Sequence, residues 1–215
     1  MKKTVDLPAS PPRWEMSNVY TALESPEFQR AFEQLKTRLD AFVRYLEEEG
    51  IQKGNRRPGV DAAALAPAVE HLLDEINFLL EHAGTLRAYI ASFVTTDSYN
   101  EEARKAMSRL EQQYVRFQQA TTRARGWIGE HGDLLPQVFE IRPKAAAHRF
   151  ALQEIVEQSR YLMSQAEEDL AAELSLSGAT AWSKLQGTVT SQLSVEFEVD
   201  GEVKSLPMPA LINLR

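Results

Sequence analysis

The sequence predicts a mainly α protein, a multi-helix lobe of long antiparallel helices that carries one β-hairpin at its C-terminal end. Three observations predict it. Apolar residues recur at helical spacing through most of the chain, and capping and stop residues sit where those repeats begin and end. Only SVEFEVDGEVKSL, residues 194–206, alternates with the period of a strand. With 215 residues, 43% of them hydrophobic and 26% charged, the chain has the size and composition to bury a substantial core.

Residues 1–18 hold three prolines and little periodicity, so they read as an extended arm whose Trp14 and Met16, with Val19 and Tyr20 just beyond, pack onto the body. Ser25 is a natural N-cap, Pro26 suits a first helical position and Glu27 complements the helix dipole. Phe28, Ala31, Phe32, Leu35, Leu39, Phe42, Val43 and Leu46 then mark one helical face, and Gly50 stops it. Residues 50–59 read as a loop, with Arg56 and Arg57 solvated. A second helix runs from about Asp61 to Val94, kinked or started by Pro67.

Ser98 and Glu101 have the spacing of a capping box for a third helix, which reaches about Ile128 before GEHGD, 129–133, ends it. A short helix around 136–141 and a longer one from Pro143 to about Leu162 follow. Ser164 and Glu167 form a second capping box, for a helix that stops at Gly178, and ATAWSKLQGTVTSQL is a further amphipathic segment. Asp200-Gly201 is a hairpin signal. A three-residue loop, Asp200 to Glu202, would pair Val199 with Val203 and keep the valines on one face, so this register is expected over a two-residue turn. Pro209 fits the first turn of one more helix.

The net charge of −7 argues against generic binding to nucleic acid or an anionic membrane. The chain has no cysteine, hence no disulfide, thiol nucleophile or thiolate metal site, and no segment approaches the length of a membrane span. The N-terminus lacks the apolar run of a signal peptide, and a cytoplasmic location is the expectation.

Of the four histidines none begins an HExxH helix, and none stands three residues after a glutamate. His71, Glu75 and His82 share a helix face, but the two histidines would lie about 16 Å apart along the axis, too far to share an ion. They read as a surface or partner-facing stripe. Paired carboxylates such as Glu47 to Glu49 and Glu167 to Asp169 read as solvated faces or dipole complements. No nucleophile elbow and no phosphate-binding glycine loop is present.

Three stretches together resemble the N-terminal region of the oligoendopeptidase F family of zinc metallopeptidases, relatives of the thimet-type oligopeptidases. They are PRWEMSNVYTALESPEF (12–28), LRAYIASFVTTDSYNEEARKAMSRL (86–110) and RYLMSQAEEDLAAELSLSGATAWSKLQGTVTSQLSVEFEVDGE (160–202). The resemblance implies an extended arm over 1–18, a helical N-terminal lobe over 19–163, and over 164–215 the start of a segment leading to a catalytic domain whose HExxH helix these residues do not reach. It implies no catalytic and no metal-ligating residue in this chain, and a Zn²⁺ site elsewhere in the parent enzyme. Gly178, Trp182 and Tyr89 are the candidate structural or channel-facing positions. The expected partners are that catalytic domain and, in the parent, short peptides. A free-standing helical interaction module is the alternative reading, and a homodimer through the lobe's exposed face a third.

Overall fold

The computed structural model describes residues 15–97, 99–199 and 201–212. The order is α1 (Pro26–Glu48), α2 (Ala62–Thr96), α3 (Glu101–Glu130), α4 (Leu135–Ile141), α5 (Pro143–Ala147), α6 (Arg149–Ser159), α7 (Gln165–Ser175), a π turn (Leu176–Thr180), α8 (Ala181–Gln192), β1 (Ser194–Val199), β2 (Glu202–Pro207) and α9 (Met208–Ile212). The mainly α class with one antiparallel hairpin is as expected.

Local chemistry sets most boundaries. The Ser25 hydroxyl accepts the Phe28 N–H at 3.3 Å and caps α1, and Asp61 accepts the Ala64 N–H at 2.8 Å and starts α2. Pro67 therefore lies inside α2, which begins before it at Ala62. The cap of α3 is Asn100, whose Oδ1 accepts the Ala103 N–H at 2.9 Å, rather than the Ser98–Glu101 box. Asparagine supplies the same kind of acceptor as serine, two positions nearer the first apolar residue. Ser98 itself lies outside the described residues, as do Trp14 and the rest of the arm through residue 14.

The core is built by α1, α2 and α3. Phe28, Leu39 and Phe42 of α1 meet Leu65, Leu72, Leu86 and Ile90 of α2 and Leu110, Ala124 and Trp127 of α3, all essentially without solvent exposure. Leu135 and Val138 bring α4 against α2, and Ala145 and Leu152 continue the cluster from α5 and α6. The predicted helix from Pro143 to Leu162 is broken at His148, whose φ of −99° and ψ of 15° divide α5 from α6. Met16 and Tyr20 pack against the core as expected of them, while Val19 is exposed.

Residues 50–59 are pinned rather than free. Lys53 Nζ donates to the Leu162 carbonyl at 2.6 Å, Gly54 N–H to Glu130, and Arg56 to Asp133 at 2.8 Å. Arg57 pairs with Glu49 and lies 5.8 Å from the centre of the Trp127 ring. Beneath them His131 is fully buried, its Nδ1 against the Trp127 carbonyl at 2.8 Å. The basic pair thus ties a loop to the end of α3, a role its sequence neighbours do not reveal.

The hairpin register corrects the expected one. Val199 pairs with Glu202 and Glu198 with Val203, so Asp200-Gly201 is a strict two-residue turn, with Asp200 outside the described residues. Gly201 adopts φ +83°, a conformation that other L-residues reach only at a cost, and it makes the tight turn available. Val203 consequently points to the glutamate face and is exposed. The preference for one apolar face loses because neither face of this hairpin is buried by the chain's own helices.

Gly129 and Gly132 let α6 approach the end of α3. A Cβ on Gly129 would lie 1.9 Å from the Ser159 hydroxyl oxygen, and one on Gly132 would lie 2.7 Å from Val156. Gly129→Ala is therefore expected to destabilise the chain by about 1–3 kcal/mol through overpacking. Combining it with Ser159→Gly should recover part of the loss, which urea titration of the single and double variants would read.

Candidate functional site

Among the described residues no three His, Cys, Asp or Glu side chains stand where they could share a metal ion. The His71, Glu75 and His82 stripe turns inward, toward α1. Glu75 is only 5% exposed and accepts two hydrogen bonds of 2.7 Å from Arg38. His82 Nε2 meets the Ala31 carbonyl at 2.7 Å, and the His71 ring stands edge-on to Tyr45 at 4.1 Å. These three side chains fasten α2 to α1, which corrects the expected surface stripe. The helical period showed that they share a face, but only packing shows what the face meets.

Tyr89 lies in the core. Its ring packs edge-on against Tyr20 and Phe93, and its hydroxyl donates to the Tyr20 carbonyl at 2.8 Å. Burial, with the nearby carboxylates of Glu24, Glu27 and Glu15, pushes its phenol above the ordinary range.

Gly178 and Trp182 stand in a different setting. At Gly178 φ is −91° and ψ is −108°, a non-helical step inside the π turn that divides α7 from α8. No residue of α7, of the π turn or of α8 is buried. Trp182 is 70% exposed and enters no core among the described residues. Leu185 and Val189 follow it at i+3 and i+7, one face of α8, and Leu170 and Leu174 lie four apart on α7. All are exposed, and so are Val195 and Phe197 of β1. Upstream of residue 133, the exposed large apolar side chains among the described residues are Val19, Leu80 and Tyr99, one or two at a time. The apolar surface is thus concentrated in the last third of the chain. Exposed apolar side chains at helical spacing on one face of α8 are of the kind that marks a place of association.

Between α8 and the junction of α2 with α3 lies an open groove of about 430 Å³, with Val94 and Met107 as its apolar members and Arg104, Lys184 and Thr188 as polar ones. Lys184 also pairs with Glu111 across it and ties α8 to α3. The N-terminus of α7 is organised by Glu167, whose carboxylate accepts the Ser164 N–H at 2.9 Å and the Ser164 hydroxyl at 2.7 Å, and Gln119 of α3 donates to the Asp169 carbonyl at 3.4 Å. Sequence reasoning found the Ser164–Glu167 pair. It missed the groove, which depends on the angle at Gly178.

Removing the Arg38 fork by Arg38→Ala leaves a buried carboxylate and should cost about 1–3 kcal/mol, toward the low end because half of Arg38 is in water. Arg38→Lys should restore only part of it, since lysine cannot make the double contact, and thermal unfolding would measure both. The hydroxyl and N–H of Ser164 hold the Glu167 carboxyl below the usual carboxylate range. Its contribution to the start of α7 is present above the unfolded-state value and is lost as pH falls through the lower folded one. Amide exchange at residues 164–170 should speed up on acidification, and Glu167→Gln should flatten that response.

Residues 133–194 match the family model described as Oligopeptidase F. No curated protein and no solved structure matches the chain. The matched stretch runs from just before α4 through α8 to the first residue of β1, and it contains Gly178, Trp182 and the exposed faces of α7 and α8. It overlaps the third of the three resembling stretches, 160–202, and lies downstream of the other two. Over residues 133–194 the chain is therefore similar to the N-terminal region of the oligopeptidase F family.

Proposed function

We propose that the chain forms the helical N-terminal lobe of a zinc-dependent oligoendopeptidase, walling the channel through which short peptides reach a catalytic part. It contributes shape and access and no catalytic or zinc-ligating residue. In the family, as the resemblance implies, a zinc ion held by the catalytic part polarises the scissile carbonyl. The residues of this chain act by packing, not by bond-making.

One observation carries the reading. The family-matched stretch contains two amphipathic helices with no buried residue, α7 and α8. Isolated helices of 11 and 12 residues are marginal in water, because most helical stability in proteins comes from packing an apolar face. A face built from Trp182, Leu185 and Val189 is suited to a partner, and the docked catalytic part of the parent enzyme would cover it. A free-standing interaction module would instead cover its hairpin with its own helices, whereas Phe197 is 48% exposed. No helix among the described residues is long and apolar enough to cross a membrane, which is consistent with the expected cytoplasmic setting.

The purified 215-residue chain, incubated with zinc and internally quenched short peptides, should show no hydrolysis above the blank. Cleavage abolished by a chelator would overturn the assignment. Leu185→Asp should change the stability of the chain by no more than about 0.5 kcal/mol, as expected of an exposed site. It should nonetheless weaken capture of a separately produced catalytic part from an enzyme of this family. Equal capture by the wild type and the variant would remove this face from the docking surface.

A further inference from the structure

The two outer edges of the hairpin are not equivalent. With a two-residue turn, the pair flanking it, Val199 and Glu202, is a hydrogen-bonded pair, and so are Phe197 with Lys204 and Val195 with Leu206. The backbone N–H and C=O groups of Ser194, Glu196 and Glu198 therefore face away from β2. No described group hydrogen-bonds to them, and the sheet has no further strand among the described residues. On the opposite edge the outward groups of Val203 and Ser205 are followed by Pro207, which has no N–H to offer. The longer uninterrupted edge belongs to β1.

The side chains along β1 state what would fit there. Glu196 and Glu198 lie on one face, and Val195, Phe197 and Val199 on the other, with all but Val199 well exposed. A second copy adding its own β1 would set glutamates beside glutamates, which is unfavourable for directly opposed strand positions. A strand alternating Lys or Arg with apolar residues would place cations beside Glu196 and Glu198 and apolar groups beside Val195 and Phe197. The net charge of −7 favours the approach of such a segment.

We propose that the outer edge of β1 accepts a third strand from a partner polypeptide whose sequence alternates basic and apolar residues, joined by main-chain pairing in the manner of β-augmentation. The inference rests on the hairpin alone and does not depend on the peptidase reading.

The test uses the full chain and a capped, fluorescently labelled synthetic peptide of alternating lysine and valine. Anisotropy should show saturable binding, and amide exchange should slow at Ser194, Glu196 and Glu198. The Glu196→Lys/Glu198→Lys variant, at two exposed positions, should bind the peptide at least about tenfold more weakly. The same peptide with alternate backbone nitrogens methylated should not bind, because it retains the charge but cannot pair. The proposal is overturned if the methylated peptide binds equally well, if a glutamate–valine peptide binds equally well, if no binding is seen, or if slowed exchange falls outside β1. Concentration-dependent self-association that protects the same amides in the absence of peptide would also overturn it, by identifying the occupant as a second copy.

Discussion

α3 packs against α1 and α2 with one side and against α6 and α7 with another, and it can serve both because its residues change size along its length. In its first half Ala103, Ala106 and Leu110 enter the three-helix core. Toward its end Gly126 and Gly129 leave no side chain, and Lys53 and Ser159 occupy the space a Cβ would need. The loop after α1 and the helix before α7 are thereby drawn onto the same end of one helix. Interiors pack at near-crystalline density, so this approach sets the position of everything attached to α6.

Packing is uneven along the chain as a consequence. From Phe28 to Leu152 nearly every turn of helix places a side chain in the common core, whereas beyond Ser159 none of the described residues is buried. α7 is held by Gln119 and by its own cap, and α8 by an ion pair with Glu111. Such polar contacts at the surface contribute little each. The family-matched stretch spans both regimes: α4 to α6 belong to the core body, while α7, laid against α3, and α8 keep exposed apolar side chains.

Where burial follows a single period, the structure could be read from the sequence. The seven residues of α1 from Phe28 to Leu46 that are buried were all marked by spacing alone, and Ser25 and Ser164 were recognisable as helix starts. Inferences that needed a second element failed. The His71–Glu75–His82 face was visible, but the Arg38 that meets it lies in another helix. Arg56 and Arg57 resemble any solvated pair until the end of α3 is placed beside them. The hairpin register was predicted from a rule about one buried face that does not operate where neither face is covered, and there Gly201 decided the turn. Trp182, one of the candidate structural or channel-facing positions, stands 70% exposed, which its sequence neighbours do not reveal.

The step in the backbone at Gly178 has a further physical meaning. Its own turn of backbone aside, no described atom lies within 4 Å of where a side chain would begin, so no other element braces the bend between α7 and α8 at this point. Lys184 and Glu111, both in partial contact with water, pair to tie α8 to α3. Charges so placed are screened by dissolved ions over a Debye length of about 8 Å at physiological ionic strength and about 3 Å in molar salt. Salt therefore weakens the ion pair that ties α8 to α3, while the apolar contacts of the three-helix body are not screened.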